Sequence, residues 1–217
     1  MPTPAPTETS IAPAPIFAPA PIDFYFDFSS PYGYLAATQI DALAARHGRE
    51  VSWHPILLGP AFKASGNTPL VAQPLKGTYA LRDLPRTAQF MNVPFNMPTP
   101  FPISTHHAAR VFYWLNDRDP IQANALASAL FKTYFVDGRD ISALEVVVEI
   151  AATLGVDPDE IAAVLADPAI KERLKDEVAA SLARGVFGAP YIVVDGEAFW
   201  GSDRLEQIDA WLKTGGW

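Results

Sequence analysis

The chain has 217 residues, with 24 acidic and 16 basic side chains, giving a formal charge of −8. That balance argues against a nucleic-acid or anionic-membrane surface, which needs basic patches, and makes small molecules the expected partners. A 49% apolar content is enough for one sizeable core or two small ones, and the absence of cysteine excludes any disulfide or thiolate of the protein's own. No stretch is long and apolar enough to span a membrane, and a cysteine-free chain is compatible with the cytoplasm, the expected location.

Residues 1–21 are dominated by proline, alanine and threonine, with no basic region followed by an apolar run. They are expected to form a flexible tail rather than a secretory signal. From Ile22 to Phe28, Ile, Phe, Phe and Phe alternate with Asp, Tyr and Asp, which predicts a strand. The run Asp27-Phe28-Ser29-Ser30-Pro31-Tyr32-Gly33-Tyr34 then opens a helix, with Ser30 as N-cap, Pro31 at the first helical position and an end at Gly48. Val51 to Leu58 predicts a second strand, parallel to the first through a right-handed crossover.

Between Gly59 and Arg184 the signals are helical. Asp119-Pro120, Asp157-Pro158 and Asp167-Pro168 each offer an acidic cap followed by proline, and Ser142-x-x-Glu145 has the form of a capping box. Further helices are expected from about Pro74 to Met91, kinked or broken at Pro85, and from about Ser104 to Asn116. The proline- and phenylalanine-rich segment Val93 to Pro102 reads as a loop that could border a cleft. After this, Phe187-Gly188-Ala189-Pro190 leads into a strand Tyr191–Val194, a turn at Asp195-Gly196, Glu197-Ala198-Phe199-Trp200, and a closing helix entered through Gly201-Ser202-Asp203-Arg204. Proline heading a strand, a tight hairpin and a final helix make up the second half of a thioredoxin-like fold. The expected architecture is therefore α/β: a thioredoxin-like domain in two halves, 22–58 and 185–217, interrupted by an all-helical insertion, 59–184.

Redox enzymes of this layout place a reactive cysteine where Ser30 stands, so any sulfur chemistry here must be imported. Serine as a nucleophile would need a partner base, and His47, His54, His106 and His107 form no local motif with it. The adjacent His106-His107 pair should diverge by about 100° at a helix start. Alternatively, Ser30 donates a hydrogen bond to a bound thiolate. Lowering a thiol pKa by about two units from about 8.5 takes about 2.7 kcal/mol. A charge-assisted hydrogen bond of about 1.5–3 kcal/mol and a helix N-terminus of about 0.3–1 kcal/mol suffice. Ala189, before a cis proline, would present backbone groups to an extended peptide, and Gly201-Ser202-Asp203 would hold a carboxylate or pair an amino group. The plain alternatives are that Ser30, Ser202 and Asp203 only cap helices and that Trp200 is core.

Asp27-Phe28-Ser29-Ser30-Pro31, Phe187-Gly188-Ala189-Pro190 and Trp200-Gly201-Ser202-Asp203-Arg204-Leu205 together resemble the 2-hydroxychromene-2-carboxylate isomerases, relatives of kappa-class glutathione transferases in the thioredoxin-like disulfide-oxidoreductase superfamily. The resemblance covers about Ile22 to Leu212. It implies glutathione as cofactor, no metal, Ser30 against its sulfur as the catalytic residue, and Ala189 with Trp200, Gly201, Ser202 and Asp203 lining its site. It also implies a small aromatic unsaturated-pyruvate substrate, with Lys63 binding it, and a homodimer. Arg82 is a second candidate for the substrate carboxylate, against its reading as a solvated neighbour of Asp83. The sequence departs from the family at Ala189, where valine is commoner, and at Ser104, where asparagine often stands. A kappa-type transferase that consumes glutathione, and a non-catalytic glutathione- or peptide-binding module, are the rival readings.

Overall fold

The computed structural model describes residues 19–217, so the tail reading lies outside the described residues except at Pro19 to Pro21, which are exposed. Four strands, β1 (Ile22–Phe26), β2 (Val51–Pro55), β3 (Tyr191–Val194) and β4 (Glu197–Trp200), form one sheet in the order β2-β1-β3-β4. β1 runs parallel to β2, with Phe24 opposite Trp53, and antiparallel to β3, which forms a hairpin with β4. The parallel pair is joined by α1 (Pro31–Ala37) and α2 (Ile40–Arg46), the crossover that the sequence predicts.

The alternating residues of β1 are covered on both faces of the sheet. Ile22, Phe24 and Phe26 are fully buried on one side, but Tyr25 is only 2% exposed on the other. That second face is closed by a small cluster with Ile56, Val186 and Tyr191. An inner strand covered on both sides is the cause.

The first helix is also not continuous to Gly48. The Thr38 hydroxyl donates to the Leu35 carbonyl at 2.8 Å, the acceptor an unbroken helix would offer to the Gln39 N–H. Gln39 N–H turns to Ala36 O instead, and the helix breaks into α1 and α2. α1 is therefore seven residues long, which limits how much its dipole can contribute at Ser30.

Seven helices lie between β2 and β3: α3 (Leu58–Ser65), α4 (Lys76–Phe90), α5 (His106–Asn116), α6 (Pro120–Phe135), α7 (Leu144–Thr153), α8 (Pro158–Ala166) and α9 (Pro168–Ala183). Helix α10 (Leu205–Thr214) closes the chain. The three Asp-Pro starts behave as read: Asp119, Asp157 and Asp167 each accept backbone N–H groups of the first turn, with proline following. The capping box does not form. Asp140 Oδ1 captures the Ser142 N–H at 2.8 Å, so the chain turns there first, and α7 begins at Leu144 with Ala143 in the cap position. α4 runs through Pro85 without a break.

Sheet and helices share one core. The Phe26 ring meets Phe112 of α5 at 6.0 Å and Phe131 of α6 at 5.4 Å, while Tyr34 stacks on Phe135 at 5.3 Å. Each such aromatic contributes about 1.5–3 kcal/mol by leaving water, so this column fixes α1 against the helical region firmly.

Candidate active site

Between β1 and α1 the chain reverses within four residues, and a buried carboxylate organises the reversal. Asp27 is 4% exposed. Its Oδ1 accepts from Ser29 N and Thr105 Oγ1, each at 2.8 Å, and its Oδ2 accepts from Leu58 N at 2.7 Å. Burial pushes the Asp27 carboxyl above the usual carboxylate range, against the pull of the donors on Ser29, Leu58 and Thr105. One side chain thus ties the active turn to the start of α3 and to the segment entering α5. The sequence reading left Asp27 without a role of its own, because its partners Leu58 and Thr105 lie far along the chain.

Ser30 is 4% exposed and caps α1: its Oγ accepts the Gly33 N–H at 3.0 Å. Its single hydroxyl proton goes to Ala189 O at 2.9 Å. The Ala189-Pro190 bond is cis, as expected, but the Ala189 carbonyl is engaged by Ser30 rather than free. Pro190 O accepts from Gly201 N at 3.1 Å, which joins this segment to the entry of the last helix. Ser30, Ala189 and the 200–203 stretch are therefore brought together. Gly201 holds φ at 114°, a left-handed value that favours glycine, and Ser202 behind it is buried. The segment Ser202–Arg204 is a 3-10 turn, so α10 starts at Leu205, and neither Ser202 nor Asp203 provides a side-chain cap.

Trp200 is 53% exposed, not core. Its indole packs edge-on against Phe187 at 5.0 Å and lies over Gly188, where an added Cβ would come within 2.6 Å of Trp200 Nε1. Tyr32, in the first turn of α1, donates its hydroxyl to Asp83 of α4 at 2.9 Å, and burial together with that carboxylate holds the phenol well above its ordinary range. Tyr32 is thereby committed to Asp83 as a neutral donor.

The Val93–Pro102 loop does border this turn. Ile103 N donates to Ser29 Oγ at 3.1 Å, Tyr134 OH to Pro100 O at 2.8 Å and Tyr34 OH to Pro94 O at 2.7 Å. With Thr105 on Asp27, the loop is anchored to the α1 region at several points. Lys63 stands apart: it is exposed near the end of α3, and no hydrogen bond or ion pair among the described residues links it to the Ser30 cluster. Arg82 is likewise exposed, while Asp83 pairs with Arg86.

None of the histidines reaches Ser30 by a hydrogen bond. His47 contacts Asp209 at 2.8 Å and His54 contacts Asp23 at 3.1 Å. His106 and His107 do not diverge as their helical spacing suggested; their rings meet at 4.0 Å, with His106 held by Ser104 Oγ at 2.8 Å. A Ser-His-Asp arrangement is not formed by these residues.

The family described as the DSBA-like thioredoxin domain matches residues 21–213. The chain belongs to that family. A 2-hydroxychromene-2-carboxylate isomerase of Sphingobium xenophagum is 33% identical over 196 residues, covering 88% of this chain and 97% of the relative. The kappa 1 glutathione S-transferase of Caenorhabditis elegans is 29% identical, covering 86% of this chain and 88% of the relative. A solved 2-hydroxychromene-2-carboxylate isomerase superposes with a TM-score of 0.80 at 28% identity, over 89% of this chain and 94% of that one. Matched over nearly its whole length to isomerases, this member of the DSBA-like family is an enzyme of their isomerase group, with kappa transferases as further kin.

Proposed function

We propose that the protein is a glutathione-dependent isomerase that interconverts 2-hydroxychromene-2-carboxylate and trans-o-hydroxybenzylidenepyruvate in aromatic-hydrocarbon catabolism. The observation that carries the reading is the Ser30 hydroxyl, buried at a turn where a redox enzyme would keep cysteine, with its proton resting on Ala189 O. Glutathione, when bound, supplies a thiolate that adds reversibly to a conjugated carbon of the substrate, allowing rotation about the resulting single bond.

The residues present fit such a ligand. Ser30 can swing its proton from Ala189 O to an incoming sulfur while Gly33 N–H keeps the oxygen in place. The same movement releases the Ala189 carbonyl, which becomes an acceptor for the backbone of an extended peptide. Trp200 supplies an exposed wall, and Asp203, its side chain 69% exposed, offers the ammonium partner that a γ-glutamyl head would need. Because the hydroxyl stabilises thiolate as nucleophile, it also stabilises it as leaving group, which favours reversal over a stable conjugate. Lys63 remains the proposed contact for the substrate carboxylate, and a homodimer the proposed assembly.

Kinship with kappa transferases supports one rival, consumption of glutathione. Incubating the protein with hydroxychromene carboxylate and a catalytic amount of glutathione separates them. Isomerisation with many turnovers and constant free thiol is expected. Stoichiometric thiol loss with a stable conjugate would assign it as a transferase, and no thiol dependence would leave a binding module.

A further inference from the structure

A cavity of about 330 Å³ opens between α3, α5 and α9, and neither Ser30, Ala189 nor the 200–203 stretch lines it. Its bed is aliphatic, with Leu57, Leu174 and Val178 among the walls, and its polar edge is made of His106, Arg110, Lys171 and Lys175. No acidic residue lines it, although the chain carries eight more acids than bases. Arg110 Nε is buried without a hydrogen-bond partner, and Lys171 makes no ion pair, among the described residues. Lys175 is held only by Glu172, an exposed neighbour on its own helix at 2.7 Å.

An apolar hollow rimmed by cations, of which Arg110 and Lys171 make no ion pair among the described residues, selects a ligand with an apolar body and one anionic end. We propose that this cavity is a second ligand site, for a small hydrophobic carboxylate, separate from the Ser30 cleft. The aliphatic bed takes the hydrocarbon, and Arg110 and Lys171 take the carboxylate. Two of its walls stand one residue from groups that Asp27 holds: Leu57 precedes Leu58, whose N–H bonds Asp27, and His106 follows Thr105, whose hydroxyl does the same. Occupancy therefore bears on the two segments that fix the Ser29-Ser30 turn.

Isothermal titration of the full chain with octanoate tests this, using octanol as the uncharged counterpart. One saturable octanoate site is expected, weakened about five- to tenfold by Lys171→Gln and by Arg110→Gln, retained in Ser30→Ala, and poorly filled by octanol. Lys171 is exposed, so its variant keeps the fold even where Arg110→Gln does not. The proposal is overturned by no binding at millimolar octanoate, by equal affinity in Lys171→Gln, by equal affinity for octanol, or by loss of binding in Ser30→Ala. That last result would place the ligand in the Ser30 cleft.

Discussion

The Ser30 hydroxyl donates to the carbonyl oxygen of Ala189, 159 residues further along the chain, at 2.9 Å. This bond joins the N-terminal and C-terminal portions of the sheet region at the point where chemistry is proposed. It also means that one proton has two competing destinations, the Ala189 carbonyl and a bound sulfur. The site is thus assembled by the same group that it must later release.

Ser30→Ala should abolish most isomerisation and lower stability by about 0.5–2 kcal/mol, since it removes the α1 cap and the thiolate's donor together. Ser29→Ala loses the bond from Ile103 N, leaves the α1 cap in place and should be milder in activity. Ultraviolet turnover assays beside thermal melts check both. Equal activity losses in the two variants would remove Ser30 from its role.

Asp27→Asn should cost about 1–3 kcal/mol, because an amide nitrogen cannot accept and at least one of three donors is left buried without a partner. The turn, the start of α3 and the loop before α5 should loosen together. Urea titration gives the stability change, and hydrogen exchange at Ser29 and Leu58 reports the loosening. Unchanged protection at both amides would show that Asp27 does not hold them.

Gly188→Ala should raise the KM for glutathione several-fold with little loss of stability. The new methyl would meet Trp200 Nε1 at 2.6 Å, and the exposed indole can swing away more cheaply than buried groups can move. Saturation kinetics in glutathione would show it. A large fall in melting temperature with unchanged KM would contradict this reading of Trp200.

Acid should weaken the packing of α10 on α2. Hydrogen bonds from Lys213, His47 and Arg46 hold the Asp209 carboxyl well below the usual carboxylate range. Its folded pKa lies below the unfolded one, so its contribution is complete above about pH 4 and is lost as pH falls through the folded value. Asp209→Asn should flatten the decline of melting temperature below about pH 4. A decline as steep as in the parent would refute this linkage.

Local chemistry announced what local chemistry controls. Ser30-Pro31 and the Asp-Pro caps at 119, 157 and 167 could be placed from sequence, because a cap and a fixed proline φ act within one turn. The split of α1 from α2 could not, since Thr38 competes for a carbonyl that any helix would offer. Asp27 was missed for another reason. Its partners are Leu58 and Thr105, distant in sequence, and a strand's alternation says nothing of what covers its second face. Ser30, Ala189 and the 200–203 stretch converge from the two ends of the chain, whereas no hydrogen bond or ion pair among the described residues draws Lys63 toward them.

The aromatic column running from Phe26 through Phe131 to Phe135 carries a consequence for how the enzyme comes apart and how it can change. Those rings belong to a strand and to a helix of the intervening region, so neither can melt while the other keeps its packing. Heat should dissolve both in one calorimetric transition, with equal calorimetric and van't Hoff enthalpies. New specificities would then arise through exposed loops and rims, and wholesale exchange of the helical region would strip Phe26 and Phe28 of their contacts with Phe112 and Phe131.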